Sequence, residues 1–139
     1  SDLSGALRGR SKVYDQMENM IRKAQKSITI MTTAKGLNRK AEILIPILKR
    51  LKNIKVRIAA PITKDNKDVA EILRKYADVR NIDKVSARFC MVDGKELLFM
   101  MMEDEKVHES YDTAVWVDTS YFGNALEQMF NLTWENLKE

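Results

Sequence analysis

Ser86 and Arg88 stand two residues apart in the stretch SARFCMVDGKELLFM, a hydroxyl beside a guanidinium. A guanidinium presents a planar fork of donors that matches a phosphate or a carboxylate. A hydroxyl becomes a nucleophile only with a base in hydrogen-bond reach. The chain's sole histidine, His108, lies in a separate acidic stretch, and nothing in the sequence brings it to Ser86. On a strand, Ser86, Arg88 and Cys90 share one face, and Ala87, Phe89 and Met91 the other. Two readings are open: Ser86 and Arg88 hold an anionic effector in a cleft, or Arg88 pairs with a carboxylate at the sheet surface.

Thr32, Thr33 and Lys35 follow one apolar run, and Thr63 and Lys64 follow another. Thr33, Lys35 and Thr63 are added to Ser86 and Arg88 as ligand-binding candidates, although ordinary loop composition also explains them. Glu103, Asp104, Glu105, Glu109 and Asp112 surround His108, but their spacing fits no cation loop. The stretch reads as a solvated acidic loop, and neither a metal nor a cofactor is expected. Phe99 with Met100, Met101 and Met102 reads as strand core, or as the lining of a pocket or dimer seam.

The elements that must position these residues follow from periodicity. Residues 11–26 carry Val13, Met17, Met20 and Ile21 at helical spacing. SITIMTT reads as a buried strand, AKGLN as a loop, and residues 40–52 as a helix that Pro46 should kink or restart. IKVRIAAP is the next strand. A helix over 66–77 turns Val69, Ile72 and Leu73 inward, and VRNID is a weak strand. Asp93-Gly94 is a two-residue hairpin signal between strands at 85–92 and 96–102. AVWVD is the last strand, and Asp118, Thr119 or Ser120 caps a helix with Phe122, Leu126, Met129, Phe130, Trp134 and Leu137 on its apolar stripe. The order is α-β-α-β-α-β-β-β-β-α. It predicts an α/β fold with a mixed sheet, parallel βαβ units plus an antiparallel hairpin, and helices on both faces. Ligands in such sheets gather at the C-terminal strand ends, here Thr32 to Asn38 and Pro61 to Asp65.

With 139 residues, 45% of them hydrophobic, the chain is expected to form a single domain over 1–139. One cysteine excludes an intrachain disulfide, which suits a reducing, cytoplasmic setting. No apolar run is long enough to span a bilayer, so no membrane partner is expected. The net charge of +4 is too modest to argue nucleic-acid binding by itself, but it is unevenly spread. Residues 1–80 carry 19 basic against 8 acidic groups, and residues 81–139 carry 5 against 12. Separate basic and acidic surfaces explain this, as would a basic patch for an anion or charge-complementary association of subunits.

The helix and strand order followed by SARFCMVDG resembles the phospholipase D-like fold. In that superfamily the strand carries His, then Lys two residues on, then Asp five further on, and the His attacks phosphorus. Aligned on Asp93, the His position is Ser86 and the Lys position is Arg88. A Gly-Ser-x-Asn element expected after the Asp is replaced by Met100, Met101, Met102 and Glu103. GRSKVYDQMENMIRKAQKSITI and AVWVDTSYFGNALEQMFNLTWENL resemble the C-terminal domains of TrmB-type archaeal transcriptional regulators.

Those regulators carry an N-terminal winged helix-turn-helix, which is expected to precede Ser1. The resemblance implies a non-catalytic effector-sensing or dimerisation domain. Its partners would be a second copy, a small anionic or polar effector, and DNA only through the missing winged helix. Sugar-binding members carry a further β-rich domain, so a maltose-like ligand is not implied. The alternatives are a phosphodiesterase or nuclease with an altered nucleophile, and a stand-alone nucleic-acid binder.

Overall fold

A computed structural model describes residues 3–137. In chain order the elements are β1 (Ser4–Arg8), α1 (Arg10–Arg22), β2 (Ser27–Met31), α2 (Ala34–Leu48), β3 (Lys55–Ala60), α3 (Lys67–Leu73), β4 (Asp78–Asn81), β5 (Arg88–Val92), β6 (Glu96–Met100), β7 (Thr113–Asp118) and α4 (Ser120–Trp134). A short 3-10 turn, Glu109–Tyr111, precedes β7. The described strands form one seven-stranded sheet in the order β1-β7-β6-β5-β2-β3-β4.

The sheet has two halves. β2, β3 and β4 run parallel, joined through α2 and α3. β5, β6 and β7 form an antiparallel meander, β1 joins β7 antiparallel, and β5 meets β2 antiparallel at the seam. The apolar runs of β2, β3 and β5 are long because these central strands are covered on both faces. On one face Ile28, Ile30, Ile58, Cys90 and Leu98 meet the buried stripes of α1, α2 and α3. On the other, Met31, Ala59, Phe89, Met91 and Leu97 meet Phe130 and Trp134 of α4. Arg57 is buried beneath α4, donating to Asn131 Oδ1 at 2.6 Å, with its guanidinium 5.1 Å from the Phe130 ring centre.

The mixed sheet, the hairpin and the two-sided helix cover agree with expectation. Asp93 and Gly94 sit at φ 59° and 63°, the turn in which both central residues are left-handed. Several expectations do not hold. β1 was not foreseen. It is a short edge strand on β7 with mostly exposed side chains, so it lacks the alternation that marks a strand. AKGLN is not a loop: α2 begins at Ala34 and runs through Pro46 to Leu48. Gly36 is there for close approach rather than for a turn, since a Cβ on it would stand 2.2 Å from Thr32 Oγ1. The hairpin strands are shorter than predicted, which leaves Ser86 outside β5. Ile72, Phe122 and Met129 are exposed rather than inward.

Candidate functional site

The C-terminal ends of β2 and β3 point the same way. Because β5 is antiparallel to β2, its first residue, Arg88, arrives at that same end. β6 ends beside it, with Met100 opposite Arg88. The chain between β6 and β7 must therefore cross this edge of the sheet. The result is a cleft of about 690 Å³, bounded by Thr33, Pro61, Ser86, Arg88, Phe99 and Asp104. Buried Asn66 fixes its rear wall, donating to Pro61 O at 2.9 Å and Ala34 O at 3.2 Å.

Of the five sequence candidates, Thr33, Ser86 and Arg88 meet in this cleft. Lys35 is exposed on the first turn of α2, and Thr63 is exposed in the loop after β3, where its hydroxyl accepts from the Asp65 N–H. Neither bounds the cleft. Ser86 is exposed at the mouth. His108 is also exposed, with Nδ1 2.8 Å from Ser110 Oγ in the 3-10 turn.

Arg88 is neither a surface pair nor a free fork. Its side chain is buried, and Nη2 donates to Met102 O and to Asp112 Oδ1, the latter at 3.2 Å. Asp112, also buried, accepts from Arg10 Nε at 3.2 Å through its other oxygen. The acidic stretch is thus not wholly solvated. Asp104 and Asp112 turn inward, while Glu103, Glu105 and Glu109 stay exposed. Asp104 Oδ2 accepts from Thr33 Oγ1 at 2.6 Å and from Arg39 Nη2 at 2.6 Å. Burial alone would raise its pKa. Hydrogen bonds from Thr33 and Arg39, with the charges of Arg88 and Arg39, hold it below the ordinary carboxylate value.

Behind Asp104 lies a residue that sequence reasoning missed. Lys40 is completely buried, its Nζ donating to Thr32 Oγ1 at 2.9 Å and standing 5.4 Å from the Tyr14 ring centre. Burial, then the neighbouring charges of Arg88 and Arg39, push its pKa down to about 7. Next to it on β5, burial pushes the Cys90 thiol up to about 12. Arg39 Nε donates to Tyr14 Oη at 3.1 Å. A signal for Lys40 was present: it sits between Leu37 and Leu44 on the core stripe of α2, where a charge must find a partner.

Chemically, the cluster sets Arg10, Arg39, Arg88 and Lys40 against two carboxylates. Cations outnumber anions even with Lys40 neutral. Asp93, the aligned acid of the motif, is not part of it. It lies at the far end of β5, about 16 Å away along an extended strand. There it accepts from the backbone N–H groups of Gln25, Lys26 and Ser27, at 2.7 Å from Lys26.

Solved structures share this architecture. TrmBL2, described as an archaeal chromatin protein with a novel mode of DNA binding, superposes with a TM-score of 0.77 at 18% identity. That match covers 99% of this chain and 54% of TrmBL2, so the chain spans about half of that protein's length. NucT from Helicobacter pylori matches with a TM-score of 0.75 at 13% identity, covering 96% of each chain. Nuc from Salmonella typhimurium, a phospholipase D family member, gives 0.75 at 12% identity over 97% of each. At such identities these likenesses show the fold, which is phospholipase D-like. Comparison with curated protein sequences returns no match. The family model for the N-terminal subdomain of the effector-binding domain (EBD) of the transcriptional regulator TrmB matches residues 6–139, and the chain belongs to that family.

Proposed function

We propose that this domain is the non-catalytic effector-sensing and dimerisation part of a cytoplasmic transcriptional regulator, with DNA read by a winged helix elsewhere in the same protein. The observation that carries this reading is the state of Arg88. A group that must hold a substrate phosphate is instead bound to Asp112 and to the Met102 carbonyl, with an exposed hydroxyl in place of an imidazole at Ser86. Among the described residues no hydrogen bond joins the Ser86 hydroxyl to a base, and His108 is engaged with Ser110 in the 3-10 turn. Family membership supports the regulatory role, and a cleft walled by a long connecting arm gives an effector something to move. A second copy would complete the regulator as an isologous dimer.

The test is incubation of the purified chain with a chromogenic phosphodiester, beside light scattering and a DNA mobility shift. The expected result is no release of the leaving group, a dimeric mass and little DNA affinity. Turnover that disappears in Ser86→Ala would overturn the non-catalytic reading. A monomeric mass at high concentration would remove dimerisation from it.

A further inference from the structure

We propose that Asp104 is an internal stand-in for the phosphoryl group of a small organic phosphate, which binds by displacing it from Arg39 and Thr33 and seats its body against Phe99 and Met100. The proposal deepens the effector-sensing reading and rests on it.

The geometry of Asp104 is that of a bound anion rather than of a structural acid. One carboxylate oxygen takes both the Thr33 hydroxyl and the Arg39 guanidinium at 2.6 Å. The Thr33 hydroxyl in turn accepts from the Gly36 N–H at the start of α2, so a helix N-terminus stands behind the same position. A phosphoryl group with three oxygens can satisfy Arg39, Thr33 and further donors together, where a carboxylate offers two. The cluster has positive charge to spare. Arg10 Nη2 is buried with no hydrogen-bond partner among the described residues. Lys40 faces Tyr14 from α1, Arg39 from its own helix, Arg88 and Cys90 from β5, and Asp104 from the arm. With its pKa near 7 it is largely unprotonated above neutrality, and a second negative charge nearby would draw a proton onto it.

The arm is anchored at Met101 and Met102 by Thr113 O and Arg88, and of residues 103–106 beyond them Asp104 alone turns inward. Asp104 is inward, but its neighbours Met101, Met102, Glu103 and Glu105 are exposed. Withdrawing the arm carries three carboxylates, Glu103, Asp104 and Glu105, away from the mouth and so removes the charge that would repel an anion. Asp112, buried and held by both Arg10 and Arg88, stays behind as the hinge-side anchor. Occupancy of the cleft would thereby be converted into movement of residues 103–108, which is the kind of change a regulator transmits.

The test is calorimetric titration of the chain with phenyl phosphate at pH 8 and low salt, in two buffers of different ionisation enthalpy. Wild type should bind one equivalent and take up a fraction of a proton, up to about one. Asp104→Asn, which loses the competing charge but keeps the shape, should bind about tenfold tighter. Binding that Asp104→Asn leaves unchanged, or no binding by either protein, would overturn the proposal while leaving dimerisation and the absence of turnover as they were. If Asp104→Asn does not fold, amide NMR of the wild type decides. Shifts at Thr33 and residues 103–108 on adding phenyl phosphate support displacement, and their absence rejects it.

Discussion

The two ends of β5 carry the two charged residues that align with the motif, Arg88 and Asp93, in different surroundings. At the first residue, Arg88 is buried and its bonds run to side chains and a carbonyl of the arm between β6 and β7. Past the last residue, Asp93 sits in a turn and collects backbone N–H groups at the entry to β2. The Asp93 end is local geometry: a left-handed turn residue whose carboxylate orders a neighbouring loop. The Arg88 end is a charge network whose members come from α1, α2, β5 and the arm. A charge held by adjacent backbone N–H groups needs only a turn to place it, whereas one held by four elements depends on all of them.

Removing a carboxylate from the Arg88 end should have the largest effect. Asp112→Ala leaves Arg88 and Arg10 buried without their shared anion, and an unpaired buried charge costs about 3–5 kcal/mol. Urea denaturation would show it, and a loss under about 1 kcal/mol would mean the network is looser than its geometry suggests. At the other end, Asp93→Ala forfeits charge-assisted bonds and keeps a Cβ at φ 59° without the polar side chain that tolerates it, for a loss of about 2–3 kcal/mol. Asp93→Gly loses the same bonds without the strain and should recover about 1 kcal/mol of that. Equal losses for the two variants would show that the backbone does not need the left-handed conformation.

Lys40 supplies a test that only the charged end can pass. Its folded pKa lies below its unfolded one, so between the two the unfolded chain binds the extra proton and stability rises with pH. The rise should begin near pH 7 with a slope of up to about 1.4 kcal/mol per pH unit. Cys90 has the opposite sign, because its thiol stays protonated in the fold while the unfolded chain loses that proton above pH 9. The clean window is therefore pH 7 to 9, beyond which the two cancel. Lys40→Met should flatten the slope in that window. The smallest effect is expected far from both ends, at the exposed pair of Arg22 and Glu18 on α1. Glu18→Gln should change stability by less than about 0.5 kcal/mol in the same urea assay.

What the sequence disclosed and what it hid divide along the same line. The Asp93-Gly94 turn, the central strands and the faces of β5 were legible because each is written in neighbouring residues. Arg88 was legible as a charge that needs a partner, but not which partner, because Asp112 lies 24 residues on and its position depends on how the arm folds. Asp104 looked like one solvated acid among several, since its partners Thr33 and Arg39 are 71 and 65 residues away. Gly36 misled as a loop marker because crowding by Thr32, just past β2, cannot be seen in a one-dimensional pattern. Lys40 broke the apolar stripe of α2 in plain view, and a charge in a core position was the one clue to the cluster that periodicity alone could have raised.

β1 pairs with β7 so that Ser4 lies opposite Val117, across more than a hundred residues of intervening chain. In kinetic terms this is the costliest closure in the sheet, because β7 must already be docked before the first strand has an edge to join. The meander from β5 to β7 can form through short connections, so the fold should assemble from its later strands and add the earliest one at the end. Amide exchange in the native protein would then begin at β1, the strand that was the last to arrive.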